Sequence, residues 1–146
     1  MVEHVSARSK EEVMRRSERA LAVPLMRFLG ASLAPADSLD GVWRIDLQQG
    51  ANSLNAVDAL HGGVIATVLD VAAYLSVLPH LAADEEAITI AFAAQYVAAA
   101  GSQALLRARG SFMRRTRRVA FADAELYCED RLLARAAVTK AIRTSP

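Results

Sequence analysis

A chain of 146 residues with 53% hydrophobic content is long enough to bury one sizeable core and too apolar to be disordered. A net charge of +1 argues against a general nucleic-acid binder, and the single cysteine, Cys128, excludes an internal disulfide. Aromatic residues are only 5% of the chain, so the core must be built from Ala, Val and Leu, whose small size lets elements approach closely.

The N-terminal residues carry charge at Glu3, Arg8, Lys10, Glu11 and Glu12 and lack the apolar region of a signal peptide. The longest apolar run, Gly62 to Leu78, is interrupted by Thr67, Asp70 and Ser76, which reads as too short and too polar for a ready membrane span. The expectation is one cytoplasmic domain over residues 1–146, with a helical segment over 1–30 and neither a membrane nor a nucleic acid as partner.

Residues 9 to 22 read as an amphipathic helix opened by a Ser9/Glu12 capping box. Val13, Ala20 and Leu21 face inward, and Lys10, Arg15, Arg16 and Arg19 face water. Pro24 suits the first position of a short second helix that Gly30 closes. Its apolar residues Leu25, Met26 and Phe28 read as packing residues rather than as the lining of a ligand channel. Gly41 to Leu47 alternates, with Trp43, Ile45 and Leu47 on one face of a half-buried strand. A polar loop from Gln48 to Ala59 leads into a long apolar helix from His61 to Leu78, stopped at Pro79. After an acidic turn at Asp84-Glu85-Glu86 the pattern turns to strands: Ile88 to Val97, Leu105 to Phe112, Val119 to Cys128 and Leu132 to Ile142. Short links without intervening helices imply an antiparallel meander. A helix apolar nearly all round must be wrapped, and a curved antiparallel sheet does this most economically. The class is therefore α+β, with sheet edges that want partners.

The chemistry concentrates on the long helix. Asp70 stands among Val68, Leu69, Val71 and Ala72, where a carboxylate is expensive unless paired. It is either bonded structurally to a neighbouring segment or buried water, or it is a functional carboxylate. Gly62-Gly63 at the helix start leaves open N–H groups at the positive end of the helix dipole, which is an oxyanion site or simply a tight turn. Asp70 lies about 12 Å along the axis from Gly62, and His61 and Asp70 point to nearly opposite faces. If both ends act in one site, the helix N-terminus must come from one subunit and Asp70 from another.

Asn55, His61-Gly62-Gly63 and Asp70, in that spacing, resemble the hotdog-fold acyl-CoA thioesterases of the phenylacetic-acid-degradation (PaaI-like) type. The resemblance covers about Gly41 to Ile142 and implies a hotdog fold, a homodimer or dimer of dimers with two-subunit sites, and an acyl-CoA substrate. It implies no cofactor, coenzyme A being part of the substrate; no Cys/His cluster has the spacing of a metal site, so no metal is expected. By position it makes Asp70 the nucleophile or general base and Gly62, with Gly63, the donors that polarise the thioester carbonyl. Asn55 would bond the carbonyl or the water, His61 would shape the loop and touch the carbonyl region, and Thr89 would assist the water. Two departures stand out: Asp58 replaces a usual glycine, and Ala98-Ala99-Ala100 replaces a common proline. Arg114, Arg115, Arg117 and Arg118 read as a solvated hairpin or, with the resemblance, as a clamp for the phosphates of coenzyme A. His4 and His80 read as incidental and Cys128 as core. A hotdog dehydratase or hydratase, and a non-catalytic acyl-CoA-binding module, are the rival readings.

Overall fold

The computed structural model describes residues 9–34, 43–48, 50–101 and 105–144. Ser9 caps α1 (Lys10–Leu21), its hydroxyl accepting from the Glu12 N–H at 3.2 Å. Val13 and Leu21 turn inward as expected, but Arg16 does not face water. It is drawn under the strand that begins at Glu85, where it pairs with Glu86 and reaches the Tyr74 hydroxyl. Pro24 opens α2 (Pro24–Leu29), and Gly30 closes it at φ 72°. A six-residue helix presents one side only: Met26 and Leu29 are buried, whereas Leu25 and Phe28 are 54% and 60% exposed and do not pack as expected.

Six strands among the described residues form one antiparallel sheet in the order β1-β2-β4-β5-β6-β3. They are β1 (Ala31–Leu33), β2 (Trp43–Gln48), β3 (Glu85–Tyr96), β4 (Leu105–Arg115), β5 (Val119–Cys128) and β6 (Arg131–Thr144). β1 carries too short a pattern to be read from sequence. The expected start of β2 at Gly41 and Val42 lies outside the described residues, as does the Trp43 side chain; Ile45 and Leu47 are fully buried. The acidic stretch is not a turn throughout. Glu85 and Glu86 already belong to β3, because Arg115 and Arg16 neutralise them there. Nor are the last four strands a simple meander: β3 pairs with β6 and β2 with β4, so the segment between β3 and β4 crosses to the other side of β5 and β6.

The concave face of this sheet holds α3 (Gly62–Val77), followed by a 3-10 turn at Leu78–His80 that contains Pro79. By length and composition alone Gly62–His80 is apolar enough to cross a membrane, contrary to the reading of this run as too short and polar; here it is the core helix, with Val68, Leu69, Ala72, Ala73 and Leu75 fully buried. Small residues set the helix-to-sheet distance. Ala108, Ala122 and Ala124 face the helix, and Gly110 is packed so closely that a Cβ there would stand 1.9 Å from the Ala72 carbonyl oxygen. His80 is not incidental, since its ring stacks on Phe112 at 3.6 Å. Cys128 is half-buried and packs against the core.

Candidate active site

The first group of residues gathers at the N-terminus of α3. Asn55 organises the approach: its Oδ1 accepts from the N–H groups of Val57 and Ala59, each at 3.0 Å. This turn carries Asp58 at φ 57°, in the left-handed region, which gives a backbone reason for a glycine at this position. His61 then caps the helix, its Nδ1 accepting from the Gly63 N–H at 2.9 Å. Two consequences follow. The accepting Nδ1 is unprotonated, so a neutral His61 carries its hydrogen on Nε2, on an exposed ring. The Gly63 N–H is engaged by the histidine, so the expectation that it joins Gly62 as an oxyanion donor does not fit this geometry. The Gly62 N–H donates to no partner among the described residues. A shallow cavity beside it is lined by Asn55, Gly62, Ile65, Tyr96 and Ala98. Tyr96, not anticipated as a site residue, donates its hydroxyl to the Gly62 carbonyl at 3.1 Å.

The second group lies two turns along the same helix. Asp70 and Thr89 meet, the hydroxyl donating to Asp70 Oδ1 at 2.7 Å. Between them stands Lys140, which sequence reasoning missed. Its Nζ donates to Asp70 Oδ1 at 2.8 Å, to Thr89 Oγ1 at 2.6 Å and to the Asp70 carbonyl at 3.2 Å. The register explains the meeting: Thr89 and Lys140 are direct partners across β3 and β6, and a bulge follows at once between Thr89 and Ala91. The Lys140 side chain is 2% exposed and that of Asp70 36%. Burial pushes the Lys140 ammonium below the usual lysine range, while the hydrogen bond and charge of Asp70 act to raise it. Strand parity offered a signal, for Ala134, Ala136, Val138, Lys140 and Ile142 share the inward face of β6, and a lysine there needs a partner.

The chain therefore brings Asn55, His61, Gly62 and Gly63 together, and Asp70 with Thr89, but not the two groups with each other. Asp70 does not line the cavity at Gly62. Of the four arginines, Arg114, Arg117 and Arg118 are exposed at the β4–β5 hairpin. Arg115 is not available as a phosphate ligand: it makes a two-pronged pair with Glu85 at 2.8 and 3.0 Å and donates to the His80 carbonyl at 2.6 Å. The pair holds the Glu85 carboxyl below its ordinary range.

Residues 58–135 match the family model described as the thioesterase superfamily. A putative thioesterase from Ralstonia eutropha JMP134, related to phenylacetic acid degradation, is 25% identical and has a TM-score of 0.75, over 88% of this chain and 98% of its own. A thioesterase family protein from Silicibacter pomeroyi aligns with a TM-score of 0.81 at 20% identity, over 91% of this chain and 99% of its own. A hypothetical thioesterase from Streptococcus pneumoniae, solved with coenzyme A, aligns with a TM-score of 0.68 at 20% identity, over 79% and 90%. No curated protein matches the chain.

Proposed function

The chain belongs to the thioesterase superfamily, with its hotdog fold, and from that premise we propose that it hydrolyses an acyl-CoA thioester to the free acid and coenzyme A. The observation that carries this reading is the arrangement of the Asp70 carboxylate. Two donors converge on Oδ1, and Oδ2 accepts from no partner among the described residues on a side chain that remains partly exposed. A carboxylate so held either takes a proton from the water that attacks the carbonyl carbon, or attacks that carbon itself to form an anhydride that water then hydrolyses to the free acid. The thioester carbonyl rests at the Gly62 N–H, where the end of the helix dipole stabilises the oxyanion formed on attack; its collapse re-forms the carbonyl, breaks the carbon–sulfur bond and releases the coenzyme A thiolate. Asn55 and Tyr96 line the cavity at that position. The Thr89 hydroxyl has its one hydrogen committed to Asp70. It therefore meets water as an acceptor and orients the carboxylate, a narrower role than assisting the water as donor.

Both half-sites require a second subunit, and β3 supports one. It is an edge strand whose outer residues Ile88 and Ile90 are exposed. Antiparallel pairing of β3 with its copy carries the Tyr96 end, with Gly62, toward the Thr89 end, with Asp70, of the partner. Arg114, Arg117 and Arg118 project near that end, since Arg115 ties the hairpin to Glu85, and they suit the phosphates of coenzyme A. The coenzyme A bound by the streptococcal neighbour supports the substrate class.

Thiol release from a panel of acyl-CoA thioesters tests the reading. Hydrolysis by the wild-type protein and its loss in Asp70→Asn support it; hydrolysis that survives Asp70→Asn removes Asp70 from the chemistry.

A further inference from the structure

We propose that Lys140 is a positioning residue for Asp70, one that selects which carboxylate oxygen is left to react. The inference rests on Asp70 being the reactive carboxylate, as above, and it reaches from helix α3 to a residue on strand β6, 70 positions away in sequence.

An ammonium has three hydrogens and no acceptor. All three are spent here: on the Asp70 carbonyl, on Asp70 Oδ1 and on Thr89 Oγ1. Because the threonine must accept from Lys140, its own hydrogen is free to go only onward, to Asp70 Oδ1 at 2.7 Å. Lys140 thus sets the direction of the whole network. Both donors land on Oδ1, which pins the carboxylate and leaves the lone pairs of Oδ2 for the reaction. Without Lys140 the Thr89 hydroxyl can turn to another acceptor, and the carboxylate can rotate.

The surroundings show that packing alone does not call for a lysine. Ala134, Ala136, Val138 and Ile142 make up the rest of the inward face of β6, and Ala120 and Thr89 flank Lys140 across the sheet. An apolar side chain would fill this position without desolvating a charge. The Tyr74 ring lies 5.8 Å from Nζ, and Arg16, which reaches that ring's hydroxyl, is itself paired with Glu86. Asp70 is the one carboxylate bonded to Lys140 among the described residues.

Lys140→Met keeps the length of the side chain and removes its donors. We expect kcat for acyl-CoA hydrolysis to fall at least tenfold with KM changed less than about twofold, and the melting temperature not to fall. Thr89→Val, a variant that keeps Lys140, gives a second handle. If the two residues act through one network, the double variant is no slower than Lys140→Met alone, whereas independent roles multiply. A crystal structure of Lys140→Met supplies a readout that needs no turnover: the Asp70 carboxylate leaves its present orientation. Retained kcat in a folded Lys140→Met protein overturns the proposal. So does a carboxylate that keeps its orientation, even if the wild-type protein proves to hydrolyse no thioester. Multiplying losses in the double variant overturn it as well.

Discussion

Gly110→Ala tests how closely α3 must sit in the sheet. The added Cβ would meet the Ala72 carbonyl oxygen at 1.9 Å, its carbon at 2.5 Å and the Ala73 nitrogen at 3.2 Å. All three are helix backbone and cannot swing aside as a side chain does. To restore ordinary contact, α3 must retreat from β4 by about 1.5 Å, which loosens the packing around Leu69, Ala73 and Leu106. Overpacking against immovable backbone falls at the upper end of the usual range, about 3 kcal/mol, which corresponds to a fall of roughly 10 °C in melting temperature for a domain of this size. Asp70 is two residues from Ala72, so its position against Thr89 and Lys140 on the sheet shifts too, and activity should fall with stability. Thermal and urea unfolding followed by circular dichroism measures the first effect. Gly101→Ala is the control, because nothing lies within 4 Å of its added carbon. A Gly110→Ala protein within about 1 kcal/mol of wild type would refute the account of helix packing.

Three further outcomes are expected. Asp58→Val should lower stability by about 1–2 kcal/mol, since a β-branched residue resists the left-handed backbone, while Asp58→Gly should not; equal effects of the two in urea unfolding would contradict the conformational explanation. Arg115→Met should cost about 2 kcal/mol at neutral pH. Glu85 has a lowered carboxyl pKa, so the stability of the pair is present above its unfolded value of 4.5 and lost as pH falls through the folded value. A wild-type and variant stability difference that persists unchanged well below that range would contradict the pairing. Lys140 should titrate below 10.5 by NMR at its ε-carbon, and Asp70→Asn should lower it further, because both influences that raise it come from Asp70. The sign for stability is set by the depressed lysine: the penalty is full below its folded pKa and is relieved as pH rises from there toward 10.5. An upward shift in Asp70→Asn would refute the ion pair.

Much of the fold was legible because it rests on local signals. The Ser9/Glu12 cap, Pro24 with Gly30, the apolar length of α3 and the alternation in β5 each lie within one segment, and each element formed where these placed it. Strand order was not legible. The pairing of β3 with β6 depends on contacts 38 to 59 residues apart in sequence, which no local pattern records. The same limit hid Lys140, whose role exists only through its register with Thr89, although its parity on β6 marked it as inward. Arg16 and Arg115 sit in charge-rich runs that ordinarily face water, and each found a carboxylate on β3 instead. The glycine pair was legible as a helix start, but not that the His61 ring would occupy the Gly63 N–H and leave Gly62 alone.

The proposed two-subunit site is tested most directly by mixing two variants, each disabled in one half-site. Asp70→Asn removes the carboxylate. Gly62→Pro removes the proposed oxyanion donor while keeping the helix, since proline suits a first helical position and His61 already has the extended backbone proline requires before it. The Gly62 position also has room, with Tyr96 atoms at 3.6–3.8 Å from an added Cβ. Each variant alone should release almost no thiol from an acyl-CoA. Unfolded and refolded together in equal amounts, half the dimers pair one variant with the other and contain one intact site, so about a quarter of wild-type activity should return. A mixture as inactive as its components would contradict a site shared between the Gly62 end of one helix and Asp70 of its partner.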